Sequence, residues 1–121
     1  MTKQSVDILN MDYGRVPPQA IDFEEVVLGS IIMEEEIMTD VMDIITGPSV
    51  FYKEANQKVC QVIYDLFTEN KKIDLLTVTE RLKATNQLSE VGGALYVTQL
   101  CRHVGGVGHV NEHAMIIQEK F

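Results

Sequence analysis

The sequence predicts an all-α fold, a compact bundle of five to six helices, and three observations carry that expectation. Apolar side chains recur at i, i+3, i+4 and i+7 through most of the chain. Glycine and proline pairs fall mainly between the periodic stretches, where they punctuate helices. Strand-like pieces are isolated and short, Leu75-Leu76 being the clearest.

At 121 residues the chain has room for one domain, and a domain of this size buries roughly two thirds of the surface its unfolded form exposes. Its 45% hydrophobic and 23% charged residues are those of an ordinary folded protein rather than a disordered one. No apolar run approaches the roughly 18 residues of a membrane span, and the start MTKQSVDILN lacks the apolar core of a secretory signal, so a cytoplasmic location is expected. Cys60 and Cys101 sit among helix-spaced apolar residues without Cys-x-x-Cys spacing and read as reduced core thiols. The net charge of −8 repels a phosphate backbone at long range, and the scattered lysines and arginines offer no basic face. Direct nucleic-acid binding is therefore not expected. Lys71-Lys72, the one adjacent basic pair, reads as a solvated helix end.

Residues 1–16 have no period and are expected to form a flexible tail ahead of a helical domain over 17–121. Pro17-Pro18 closes the tail, and proline suits a first helical turn because its missing amide is unneeded there. Asp22, Glu24 and Glu25 follow near the positive end of the helix dipole. The first helix is predicted over Pro18 to Met33, and Ala20, Ile21, Phe23, Val27, Leu28, Ile31 and Ile32 form a stripe wide enough to touch several helices. It is the expected central element.

Glu34-Glu35-Glu36 introduces a second helix with Ile37, Val41, Ile44 and Ile45 on one side and a stop at Gly47-Pro48. Three consecutive helical carboxylates point in different directions and cannot converge on one cation, so the run reads as a solvated turn. Phe51 and Tyr52 are expected to pin the next loop to the core. A third helix covers Glu54 to Glu69, with Ala55, Val59, Val62, Ile63, Leu66 and Phe67 inward and Gln57, Lys58, Gln61, Asp65 and Thr68 outward. After a turn at 70–74, Thr77 with Glu80 matches a Thr-x-x-Glu capping box for a short fourth helix that turns Val78 and Leu82 inward.

Gly92-Gly93 raises the question of a phosphate cradle. A nucleotide-binding loop places its glycines after a strand and, in a P-loop, adds Lys followed by Ser or Thr. Here a turn with a candidate cap at Ser89 precedes them, and no Lys-Ser or Lys-Thr pair occurs in the chain. Gly93, Val97, Leu100, Cys101 and Val104 keep helical spacing, so Gly92 and Gly93 are expected to be helix-packing glycines that let backbones approach closely. Gly105-Gly106-Val107-Gly108 reads as a connector, beside which Val104 and Val107 are expected to anchor to their own core. In the last segment Val110, Ala114, Ile117 and Phe121 share a helical face still in period at the end, the pattern of a boundary cut through or just after a helix. The inward positions expected to carry the core are Leu28, Ile32, Val59, Ile63, Leu66, Leu82, Tyr96 and Leu100.

Cys101, His103, His109 and His113 have the right ligand types for zinc, and His109 and His113 are four apart on a helix. Cys101 and His103 diverge by about half a turn, and the order His-Val-Asn-Glu-His misplaces the glutamate of a His-Glu-x-x-His motif. Exposed helix-end histidines are the simpler reading. Ser30 follows Gly29 inside an apolar helix, without the strand and sharp turn that expose a hydrolase serine. No residue is expected to be catalytic, to bind a cofactor or to hold a metal.

Several stretches together resemble one family. PPQAIDFEEVVLGSIIME resembles the opening helix of bacterial replicative DNA helicases of the DnaB type, with Pro18, Glu24, Val27, Leu28, Gly29 and Ser30 matching. FYKEANQKV is similar to the family's Phe-Tyr and helix entry, with Asn56-Gln57 where a His-Arg or similar pair is usual. KIDLLTVTERL resembles Pro-Ile-Asp-x-x-Thr-Val-x-x-x-Leu, with Lys72 for the proline, and LSEVGGALYVTQL is similar to Gly-Gly-x-x-Tyr-Leu-x-x-Leu, with Val97 for a leucine. The matches keep the family's order over residues 15–121.

The resemblance implies the helical amino-terminal domain, joined in the family to a RecA-like motor that binds ATP, magnesium and DNA; a motor is absent from this chain. It implies an assembly and interaction role at the bacterial replication fork: self-association in the hexamer's collar, docking of the primase carboxy-terminal domain and contact with a helicase loader. The other readings are a free-standing helical interaction module, a small metal-binding enzyme built on the Cys101 and histidine set, and a nucleic-acid-binding module.

Overall fold

The computed structural model describes residues 18–102 and 107–120. Among them seven α-helices follow one another: α1 (Pro18–Met33), α2 (Ile37–Ile44), α3 (Glu54–Thr68), α4 (Leu75–Ala84), α5 (Leu88–Val91), α6 (Gly93–Leu100) and α7 (Val107–Lys120). A 3-10 turn over Pro48–Val50 links α2 to α3, and no strand occurs among the described residues. The fold is all-α, as helical periodicity predicted. The helix beyond the expected five or six is α5, a single turn that Gly92 separates from α6.

Helix α1 is the centre of the bundle, touching α2, α3, α4, α6 and α7. Its wide apolar stripe explains this, because Val27, Leu28, Ile31 and Ile32 are buried on several sides of the helix. Helix α2 buries Ile37, Met38 and Val41, and Ile45 stays buried after the chain has turned extended at that residue. Only one of the two loop aromatics is a pin, since Phe51 is 1% exposed and Tyr52 is 54% exposed.

Helices α3 and α4 both end on an asparagine in the left-handed region, Asn70 at φ 59° and Asn86 at φ 60°. Lys71 N donates to Leu66 O at 2.9 Å and Gln87 N to Leu82 O at 2.8 Å, so each end closes in the paired-bond motif that such a residue permits. The start of α4 differs from the sequence expectation. Asp74 is the cap: its carboxylate accepts from Thr77 N at 2.8 Å while Asp74 N donates to Thr77 Oγ1 at 2.9 Å. Thr77 thus answers the cap from the third helical position rather than forming a box with Glu80, and Leu75-Leu76 is the first turn of α4, not strand.

Leu28, Ile32, Val59, Ile63, Leu66, Leu82 and Leu100 are buried, whereas Tyr96 is partly buried at the edge of the core. Ala114 and Ile117 bring α7 into the same core, against α1 and α2. The expected tail over 1–16, Val104, Gly105 and Gly106, Phe121 and the side chains of Val107 and Val110 lie outside the described residues, and the expected connector over 105–108 is shorter than its glycines suggested, because Val107 and Gly108 already begin α7.

Candidate functional site

One buried carboxylate organises the interior. Glu24, on α1, is 2% exposed and accepts from Tyr52 N at 2.6 Å, from Lys53 N at 3.4 Å and from Asn56 Nδ2 at 2.8 Å. Lys53 is the N-cap of α3 and offers no side-chain acceptor there. Glu24 therefore accepts from the N-cap amide of Lys53 and the amide before it, the part that a third-position side chain plays in a capping box, but from another helix and at the end where the dipole favours negative charge. Asn56 is fully buried and passes the connection on, because its Oδ1 accepts from the Tyr96 hydroxyl of α6. The Lys53 ammonium lies 4.4 Å from the Tyr96 ring centroid and 3.8 Å from Glu25 Oε2. Burial, with the Glu25 and Glu24 carboxylates nearby, pushes the Tyr96 phenol above its ordinary range. The sequence placed Glu24 as a dipole partner of its own helix and assigned Asn56 no role; the structure joins them across α1, α3 and α6.

The glycines divide by function in a way the sequence did not. A Cβ at Gly93 would meet nothing within 4 Å, and at Gly92 it would meet the Tyr96 side chain at 3.0 Å. Both have positive φ, 113° and 79°, so the pair makes a left-handed junction between α5 and α6 rather than a site of close helix approach. Close approach occurs instead at Gly29, where a Cβ would overlap the Leu100 carbonyl oxygen.

An open cleft of about 1070 Å³ lies between the end of α1, the start of α2 and the loop after α3. Glu35 Oε1 accepts from Ile73 N at 3.1 Å, so one member of the acidic run anchors that loop. Arg81 makes a two-pronged contact with Glu69 at 2.8 and 3.1 Å, and Lys71 adds a third charge at 3.4 Å. The Arg81 guanidinium holds the Glu69 carboxyl below the usual carboxylate range. Lys71 and Lys72 are both exposed, as expected of a solvated pair, and Lys71 is in addition an ion-pair member.

His113 is not an exposed helix-end residue: it is half-buried in the middle of α7 and stacks on Phe23 with ring centroids 4.5 Å apart and 14° between planes, joining α7 to α1. Cys101 Sγ donates to Val97 O at 3.6 Å. His103 and the side chain of His109 lie outside the described residues, among which no three His, Cys, Asp or Glu side chains form a metal-sized cluster. Burial raises the Cys60 thiol strongly and the Cys101 thiol less, so neither is an activated nucleophile. Ser30 is fully buried within α1. Among the described residues no helix is long and apolar enough to cross a membrane.

The pattern of the family described as DnaB-like helicase N terminal domain matches residues 16–119. The chain belongs to that family. A replicative DNA helicase DnaB from Rhodothermus marinus is 39% identical over 119 residues, 98% of this chain and 12% of that protein. The replicative DNA helicase DnaB of Geobacillus stearothermophilus is 34% identical over 106 residues, 88% of this chain and 23% of that protein. The chain thus spans less than a quarter of the length of these relatives. The crystal structure of the N-terminal domain of DnaB helicase from Mycobacterium tuberculosis superposes with a TM-score of 0.80 at 31% identity, covering 87% of this chain and 72% of that one. Within the DnaB-like opening helix, Glu24 bonds to the entry of α3 and Gly29 lets α1 approach the end of α6.

Proposed function

We propose that this DnaB-like domain is the assembly and protein-interaction part of a replicative DNA helicase that unwinds duplex DNA at the replication fork. It helps build the amino-terminal collar of a hexamer by self-association and offers a surface on which the primase carboxy-terminal domain, and a helicase loader, dock. ATP, magnesium and single-stranded DNA are handled by a RecA-like motor elsewhere in the protein, in the bacterial cytoplasm. The observation that carries this reading is where the buried polar groups go. Glu24 and Asn56 join helices to one another, leaving the surface for partners. An acidic domain also suits a collar beside DNA, because its charge steers it away from the motor's substrate and toward complementary protein surfaces.

The test compares the whole helicase with a form lacking residues 1–121, by native mass spectrometry for ring size and by co-sedimentation with primase. Loss of a stable hexamer and of primase association is expected. A truncated protein that still forms hexamers and still sediments with primase overturns the reading.

A further inference from the structure

We infer that α7 is a clasp: α2 is held in the domain through it, and the two helices open together as one unit while α1 and α3 to α6 stay folded. This goes beyond the interaction-domain reading and does not rest on it. Packing around α1 divides the bundle. On one side α3, α4, α5 and α6 brace one another, with α3 against α4 and α5, α4 against α5 and α6, and α5 against α6. On the other side the backbone of α7 comes close, among the described elements, only to α1, α2 and the Pro48–Val50 turn. The backbone of α2 comes close only to α1 and α7, and it meets α7 at more places than α1. The α3 to α6 group reaches this part of the chain at the borders of α2. Glu35 Oε1 accepts from Ile73 N before the helix, and the Tyr64 hydroxyl donates to Ile45 O after it. The chain thus stays attached at both borders while the helix between them comes loose.

Three fastenings make the clasp among the described side chains of α7. Ala114 and Ile117 are buried, His113 stacks on Phe23 of α1, and Gln118 Oε1 accepts from Thr46 N at 3.1 Å, just beyond the end of α2. Other groups on α7 work against its docking. Asn111 Oδ1 and His113 Nδ1 are buried with no hydrogen-bond partner among the described residues, and removing such atoms from bulk water without a protein partner costs free energy. Local opening follows groups of elements that share contacts, and the group with fewer mutual braces opens first. Here that group is α2 with α7. Glu35, Glu36 and Thr39, at and before the start of α2, form one wall of the open cleft, which α7 itself does not line. Release of α7 is therefore felt at a surface it does not touch, through α2 as the two-state element.

Native-state hydrogen exchange of the isotope-labelled chain, followed amide by amide, tests this. Amides of α2 from Val41 onward and those of α7 are expected to exchange through one opening, with a common free energy below that of α3, α4 and α6. Ile117→Val should speed exchange about fivefold in both α7 and α2 and leave α3, α4 and α6 unchanged. Gln118→Ala removes a fastening outside the core and should speed the same two helices by a common factor. Val78→Ala, at a buried position of α4, should speed α3, α4 and α6 but not α2 or α7. Exchange of every helix through one global opening, or faster exchange in α7 with α2 unmoved, overturns the proposal. Neither result bears on ring size or primase association, so the two readings fail separately.

Discussion

Gly29 of α1 lies against the main-chain carbonyl of Leu100, the last residue of α6, so closely that a side chain at residue 29 has no room. Glycine inside a helix costs about 1 kcal/mol relative to alanine, and here close packing of two backbones offsets that cost. Gly29→Ala is expected to lower unfolding stability by about 2–3 kcal/mol despite its better helix propensity. Urea denaturation measures it. An unchanged midpoint would mean that α6 can shift outward without penalty. Gly93→Ala is the comparison, strained in backbone but free of clash, with an expected cost of about 1–2 kcal/mol.

Glu24→Ala removes the acceptor for Tyr52 N, Lys53 N and Asn56 Nδ2 together. Donors left buried without partners make this expensive, and a loss of about 3 kcal/mol or more is expected. A double-mutant cycle with Asn56→Ala should give a coupling of about 1–3 kcal/mol. Additive effects would show that the two side chains do not act as one unit.

Burial raises the Tyr64 phenol to about 12, with the neighbouring Cys60 adding to the effect. A folded-state value above the unfolded one favours the protonated fold. The contribution is therefore complete below the ordinary tyrosine value of about 10 and is lost as pH climbs through about 12. Thermal melts should show stability falling across that alkaline window, with phenolate absorbance appearing late. Ordinary titration of Tyr64 near pH 10 in the folded protein would contradict the placement of its ring, whose hydroxyl donates to Ile45 O at 3.1 Å.

The two thiols should report opening of the fold. Cys60 is 3% exposed and Cys101 lies at the core edge. A charged thiol reagent is expected to modify Cys101 slowly and Cys60 only when the core opens, at a rate that follows global stability. Equal rates for both would place Cys60 nearer the surface.

Regular spacing made the helices legible, and α1 runs over the predicted span because its apolar stripe and proline start agree. Local choices between equivalent signals were less legible. Asp74 and Thr77 are both good caps, and Thr77 has Glu80 three residues on, yet α4 begins at Leu75 because Asp74 and Thr77 cap each other reciprocally, which leaves the exposed Leu75 and Leu76 in its first turn. Apolar residues that face solvent carry no period, so the sequence could not place that turn. Gly92 and Gly93 drew attention as a pair, while the crowded glycine is the single one at 29, whose neighbour Leu100 is distant along the chain. The Glu24 and Asn56 contact has the same character. Each residue type is ordinary at its position, and only three-dimensional packing brings them together.

A carboxylate inside an apolar interior also discriminates between arrangements of the same helices. If α3 slid by one residue or turned its entry away from α1, Glu24 would lose the donors at Tyr52, Lys53 and Asn56 while remaining out of water, a condition worth several kcal/mol of penalty. Purely apolar contacts between these helices would tolerate such near misses. The buried acid makes them costly, so the domain presents one relief to the outside rather than a family of similar ones.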